Sequence, residues 1–248
     1  MFDYEQMKEL NELEMTMYNY IITHADKVTS MTIRQLAKEL NVSSTTVLRF
    51  CSKLGCEGYS EFKYQFKEYL KDKNHENLAD DFSAIEDFFM KVKHGDLHMQ
   101  IQKIAQVIYE HERIFFMGLG TSGTLDKYGA RYLSNFGKYA MYLEDPFYPM
   151  GKNPYINTAV VVMSVSGEQQ FLFKQVQELK KRNVTIISIT NSKQCTIAEI
   201  SDYNIAYYIP MLILPGRYNV TSSIPVVYIL ERLAHEVNHL MEQHEKSK

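Results

Sequence analysis

The 248-residue chain carries only three cysteines, Cys51, Cys56 and Cys195. Their number is odd and the nearer two stand five apart, which excludes a disulfide framework and a Cys-x-x-Cys pair. Idle thiols in a reducing compartment are the expectation. Long hydrophobic runs are missing too. The longest, near Ile156–Val165 and Ile205–Leu214, reach ten residues, where a membrane span needs about 18 or more. The opening MFDYEQMKEL is polar and acidic, unlike a secretory signal, so a cytoplasmic protein with no membrane partner is expected. There is no internal repeat and no low-complexity tract. His235 and His239 stand four apart without a third ligand, so no metal site and no cofactor is expected. What is present is the ordinary globular balance of 45% hydrophobic and 23% charged residues. The length exceeds one domain of about 150 residues and falls short of two.

The net charge of −3 is unevenly spread. Residues 1–26 hold one lysine and six acids, whereas residues 27–73 hold nine Lys/Arg and five acids, a step from −5 to +4. This stretch reads as short helices without a strand. Leu10, Leu13, Met17, Tyr20 and Ile21 recur at helical spacing. Thr32 and Gln35 have the form of a capping box before Ile33, Leu36, Ala37 and Leu40. Asn41-Val42 makes a tight connection, Ser43 caps a third helix with Val47, Phe50 and Leu54 inward, and Gly55 ends it. A fourth helix follows from Tyr59 to Leu70. Two short helices joined by a tight turn, with another before them, form a helix-turn-helix whose second member can enter the major groove. The candidate DNA contacts are therefore Ser43, Ser44, Thr45, Thr46, Arg49 and Lys53, with Arg49 placed for a bidentate contact to guanine. Lys63, Lys67, Lys71 and Lys73 fit either phosphate contacts or a solvated face. KDKNHEN, residues 71–77, reads as a linker, and Ile85, Phe88, Phe89, Val92 and Leu97 mark a connecting helical segment from Phe82 to Tyr109.

Beyond Ile104 short apolar runs alternate with amphipathic helices, the rhythm of a parallel sheet covered on both faces. Strands are expected at 114–117, 139–143, 159–164, 184–189 and, more weakly, 203–208. Helices are expected at 124–136, up to 182, at 196–199 and at 220–243. Three strand ends deliver hydroxyls into loops that open helices: Thr121 and Ser122, Ser164 and Ser166, Thr190 and Ser192. Such helix N-termini suit an anion. No lysine stands within residues 121–123, 164–168 or 190–192, so a phosphate there is expected to be held mainly by neutral dipoles. Gly118, Gly120 and Gly123 also complete a G-x-G-x-x-G fingerprint, with Glu144 as the acid a dinucleotide site wants. That reading leaves the other two hydroxyl loops without a role.

The stretch MTIRQLAKELNVSSTTVLRFCSKLGCEGYSEFKYQF resembles the helix-turn-helix of the RpiR family of bacterial transcriptional regulators. GLGTSG, SVSGE and ITNS, between Ile114 and Tyr208, resemble a sugar isomerase (SIS) domain, in the family's order. The resemblance implies a doubly wound parallel-sheet α/β SIS domain after an all-α helix-turn-helix bundle, with domains at 1–73 and 111–248 and a connection at 74–110. It implies a regulator of carbohydrate metabolism that binds operator DNA, responds to a phosphorylated sugar and works as a homodimer or tetramer. Its phosphate would sit on Ser122, Ser164 and Ser166, with Thr121, Glu168, Gln169, Thr190 and Ser192 completing the ligand set. Gln169 stands where the family commonly has a phosphate-holding threonine. The same fold builds isomerases, for which Glu168, Glu231 and His235 are the candidate acid–base groups; with a DNA reader attached, a binding-only domain is expected.

Overall fold

In the computed structural model the residues described are 9–71, 81–144, 156–214 and 218–246. The expected linker at 71–77 lies, after its first residue, outside them. The chain divides into two compact units, one of Met1–Phe89 with Tyr208–Ser222, the other of Met90–Tyr207 with Ser223–Lys248. This differs from the expected contiguous 111–248. A fifteen-residue stretch late in the chain belongs with the N-terminal helices.

The first unit holds α1 (Glu12–Thr23), α2 (Ala25–Val28), α3 (Ile33–Glu39), α4 (Ser44–Lys53) and α5 (Tyr59–Lys71). Local chemistry fixes each end. Asn11 and Glu14 close a capping box on α1, and Thr32 with Gln35 closes the one expected on α3. The turn from α3 to α4 uses Asn41 at φ +53°, with Val42 N–H donating to Ala37 O at 2.9 Å. Gly55, at φ +76°, repeats that device after α4, where Cys56 N–H reaches Cys51 O at 3.0 Å. Both are left-handed C-terminal caps of the Schellman kind. Leu36, Val47, Phe50, Phe62 and Phe66 are wholly buried and fill the space between. The three cysteines are free and buried, and burial pushes the Cys51 thiol up to about 12. The connecting segment is two helices, α6 (Asp81–His94) and α7 (Leu97–Glu110), interrupted at Gly95 and Asp96.

The second unit is built on five parallel strands, β1 (Arg113–Gly118), β2 (Tyr139–Tyr142), β3 (Thr158–Ser164), β4 (Thr185–Thr190) and β5 (Tyr203–Ala206), in the order β2-β1-β3-β4-β5. Every residue of β3 is buried, as a central parallel strand requires. On one face α9 (Gln170–Lys180) and α10 (Thr196–Ile200) set Leu172, Val176, Leu179 and Ile197 against Val160, Val162 and Ile186. On the other, α8 (Thr121–Ser134) approaches so closely that a β-carbon on Gly129 would stand 2.9 Å from Phe116. There α11 (Ile224–Lys246) packs against α7 and α8. Among the expected boundaries that shift, three have a local cause. Helix α8 begins at Thr121 rather than 124, because Gly120 at φ +58° turns the chain directly into it. Strand β5 ends at Ala206 rather than 208, since Tyr208 takes φ +47° and the chain leaves the sheet. The last helix starts at Ile224 rather than 220, after a short antiparallel pair, β6 (Ile213–Leu214) and β7 (Tyr218–Asn219). Among the described residues no helix is long and apolar enough to cross a membrane.

Candidate functional site

Helix α4 divides cleanly into two faces. Val47, Phe50 and Cys51 point inward with no exposure, and Thr45, Leu48, Arg49, Ser52 and Lys53 are exposed. The candidate contacts do not all remain available. Ser43 Oγ accepts from Thr46 N–H at 3.0 Å and lies 2.8 Å from Thr46 Oγ1, so these two hydroxyls cap the helix together. Lys53 donates to Glu14 Oε2 at 2.6 Å and to Glu9 O at 3.2 Å, which ties α4 to the start of α1. Lys63 donates to Met31 O at 3.0 Å. Arg49 has no hydrogen-bond or ion-pair partner among the described residues. Leu48 and Ser52 are exposed on the same stripe of α4 as Thr45 and Arg49.

In the second unit the strand order places a topological switch between β1 and β3, whose following helices go to opposite faces. Open α/β sheets bind ligands outside the carboxyl ends of the strands at such a point. Both helices opening there, α8 and α9, have N-caps, Gly120 and Gln169, without a side-chain hydrogen bond to the helix. No N-cap side chain therefore stands over these two N-termini, whose positive dipole ends suit an anion. Ser164 Oγ accepts from Gly167 N–H at 3.1 Å and Ser166 Oγ from Glu168 N–H at 3.3 Å. Those bonds fix the oxygens and leave the hydroxyl protons to donate. Thr121 and Ser122 side chains, in the first turn of α8, have no partner among the described residues.

The third loop is different in kind. Thr190 is wholly buried, donates to Ser192 O at 2.8 Å and accepts from Asn204 Nδ2 at 2.8 Å. Its proton is spent inside the sheet end. Ser192 Oγ accepts from Gln194 N–H at 3.0 Å. Glu168 caps α10, accepting from Thr196 N–H at 3.0 Å and from Thr196 Oγ1 at 2.5 Å. Gly167, at φ +70°, lies where any β-carbon would collide with the Cys195 side chain. The second and third loops are therefore one rigid piece, and Glu168 acts in it as a brace.

Beneath the first loop lies a group not anticipated. Asp126, one turn into α8, is 1% exposed, and neither carboxylate oxygen has a partner among the described residues. Burial pushes its carboxyl up from the ordinary 3.8 to about 8. Its signal in the sequence is an acid standing in the inward stripe with Gly129, Ala130 and Leu133. Glu231 accepts from Tyr128 Oη at 2.5 Å, and His235 Nε2 lies 3.3 Å from Tyr132 Oη, so both groups face α8 side chains. Among the described residues no group of three His, Cys, Asp or Glu could hold a metal ion.

The pattern matched by residues 4–73 is the helix-turn-helix domain of the rpiR family, and residues 107–234 match the SIS domain. The chain belongs to the RpiR family. It is similar to the HTH-type transcriptional regulator GlvR of Bacillus subtilis, 28% identical over 240 residues that cover 92% of this chain and 91% of that one. The HTH-type transcriptional regulator HexR of Escherichia coli is 22% identical over 250 residues, covering 92% and 86%. Among solved structures, the NanR protein of Vibrio vulnificus complexed with ManNAc-6P has a TM-score of 0.56 at 22% identity, covering 97% of this chain and 90% of that one. As an RpiR-family protein this is a DNA-binding transcriptional regulator, with α3 and α4 as its helix-turn-helix. The SIS match spans the whole G-x-G-x-x-G segment, and Glu144 stands exposed after β2, so the dinucleotide reading is set aside.

Proposed function

We propose that this RpiR-family regulator reads operator DNA with α4 and senses a phosphorylated sugar at the β1/β3 switch, without turning the sugar over. The observation that carries the reading is the pair of helix N-termini without side-chain caps, α8 and α9, on adjacent strands. Ser122, Ser164 and Ser166 supply hydroxyl protons there, and a phosphate needs donors. Thr121 and Gln169, both exposed, stand at the rim. Thr190, Ser192 and Glu168 shape the site from behind. A base for aldose–ketose isomerisation would have to be free to take a proton from carbon, and Glu168 is bound to Thr196. The protein named NanR was solved with ManNAc-6P, which supports a phosphorylated sugar as the class to try. The regulator acts in the cytoplasm as a homodimer or higher oligomer, so that two readers meet two half-sites.

The test is a thermal-shift screen of the full chain against sugar phosphates, followed by operator binding with each hit. A ligand at 100 times its dissociation constant stabilises by about 2.7 kcal/mol. Ser166→Ala should weaken the hit about tenfold or more, the loss of one hydrogen bond to a charged group. A screen in which no sugar phosphate shifts the melting temperature overturns the reading, and turnover of a hit overturns its binding-only part.

A further inference from the structure

We propose that Leu48 reads DNA directly, packing its side chain on the C5-methyl group of a thymine in the major groove. This deepens the DNA-binding reading above and rests on it. Four observations lead there. Leu48 is 43% exposed on a helix whose opposite face is sealed. It stands three residues after Thr45, one before Arg49 and four before Ser52, so these four side chains share one stripe along α4. The other polar groups near that stripe are already engaged, Ser43 with Thr46 and Lys53 with Glu14. The side chains left to meet a base edge thus include one apolar group set among hydrogen-bonding ones. The apolar feature that a base pair offers in the major groove is the thymine methyl, and the N-terminal half of a recognition helix is the part that reaches it. Ser44 and Thr45 precede Leu48 by about one turn, which places Leu48 within that half.

The experiment uses the full chain and a duplex it selects from a random-sequence library. Each thymine of the selected duplex is replaced in turn by deoxyuridine, which removes the methyl group alone. At one thymine per half-site the wild-type protein should lose about fourfold in affinity, the factor that burying one methyl group supplies. Leu48→Ala should bind the thymine and deoxyuridine duplexes equally, and Leu48→Met should keep the discrimination. Because Leu48 is exposed, both variants should melt with the wild type, and circular dichroism verifies that first. If deoxyuridine is tolerated at every position, or costs the same with Leu48→Ala as with the wild type, the assignment of Leu48 falls while the DNA reading stands. If the library yields no preferred duplex, sequence-specific reading by α4 falls with it.

Discussion

Asn19 holds Met211: its Oδ1 accepts from the Met211 N–H at 2.9 Å, while its Nδ2 donates to the carbonyl of Ile209 at 3.2 Å. All three residues are buried. The stretch that receives this clamp has neither helix nor strand at those positions, so its backbone groups have no ladder to satisfy them. One side-chain amide from α1 supplies what secondary structure would supply elsewhere. Asn19→Ala would take the acceptor from the buried Met211 N–H and this donor from the buried Ile209 carbonyl. At about 1–3 kcal/mol for each such group, a loss of about 3 kcal/mol is expected in urea unfolding of the full chain, with the far-UV spectrum unchanged.

How much of this was legible beforehand depends on whether the cause is local. The caps at Thr32 and Ser43, the left-handed turn at Gly55 and the apolar run of β3 are written within a few residues of where they act, and those elements stand where expected. The hydroxyl loops also fall at strand ends as expected, because period and punctuation fix where a strand stops. Asn19 carries no such mark. Its partners lie about 190 residues away, past the strand expected at 203–208, where Tyr208 turns the chain out of the sheet. The role of Glu168 was hidden for the same reason, since its partner Thr196 stands 28 residues on. Asp126 was visible as an acid in an apolar stripe, but only packing shows that nothing meets its oxygens.

That orphaned carboxyl makes stability depend on pH. The folded chain holds the Asp126 proton up to about 8, while an unfolded chain releases it near 3.8. The folded state therefore binds more protons between these values, and unfolding free energy falls as pH rises through that window. For one full proton the slope approaches about 1.4 kcal/mol per pH unit. Asp126→Asn should remove this contribution, so denaturation curves of the two proteins should diverge from pH 4 to pH 8 and run parallel above it. An equal slope in both would show that the carboxyl is ionised and solvated.

Arg49 and Lys53 are both basic residues of α4, yet opposite outcomes are expected. Arg49 has no protein partner among the described residues. Arg49→Ala should cost about 1–3 kcal/mol in specific binding if it meets a guanine edge, with no change in melting temperature. Lys53 is bonded to Glu14, which is nearly buried and also closes the cap of α1. Lys53→Met should lower stability by about 1 kcal/mol and leave the preferred sequence unchanged. Competition binding with cognate and scrambled duplexes, alongside thermal melts, separates the two.

Gln169 caps α9 by position but not by chemistry. It stands at the N-cap with φ −70° and ψ 104°, extended backbone that a threonine adopts readily, and its amide makes no bond to the helix. Gln169→Thr would place a hydroxyl oxygen within reach of a first-turn N–H. The free protein should gain about 1 kcal/mol, as a capping hydroxyl usually gives. A phosphate at the same N-terminus would satisfy that N–H itself, so the gain should shrink when the melt is repeated at saturating phosphosugar. If the increment persists undiminished with ligand bound, the new hydroxyl has turned to the phosphate, and the long amide of Gln169 is then what sets this site apart from one built with threonine.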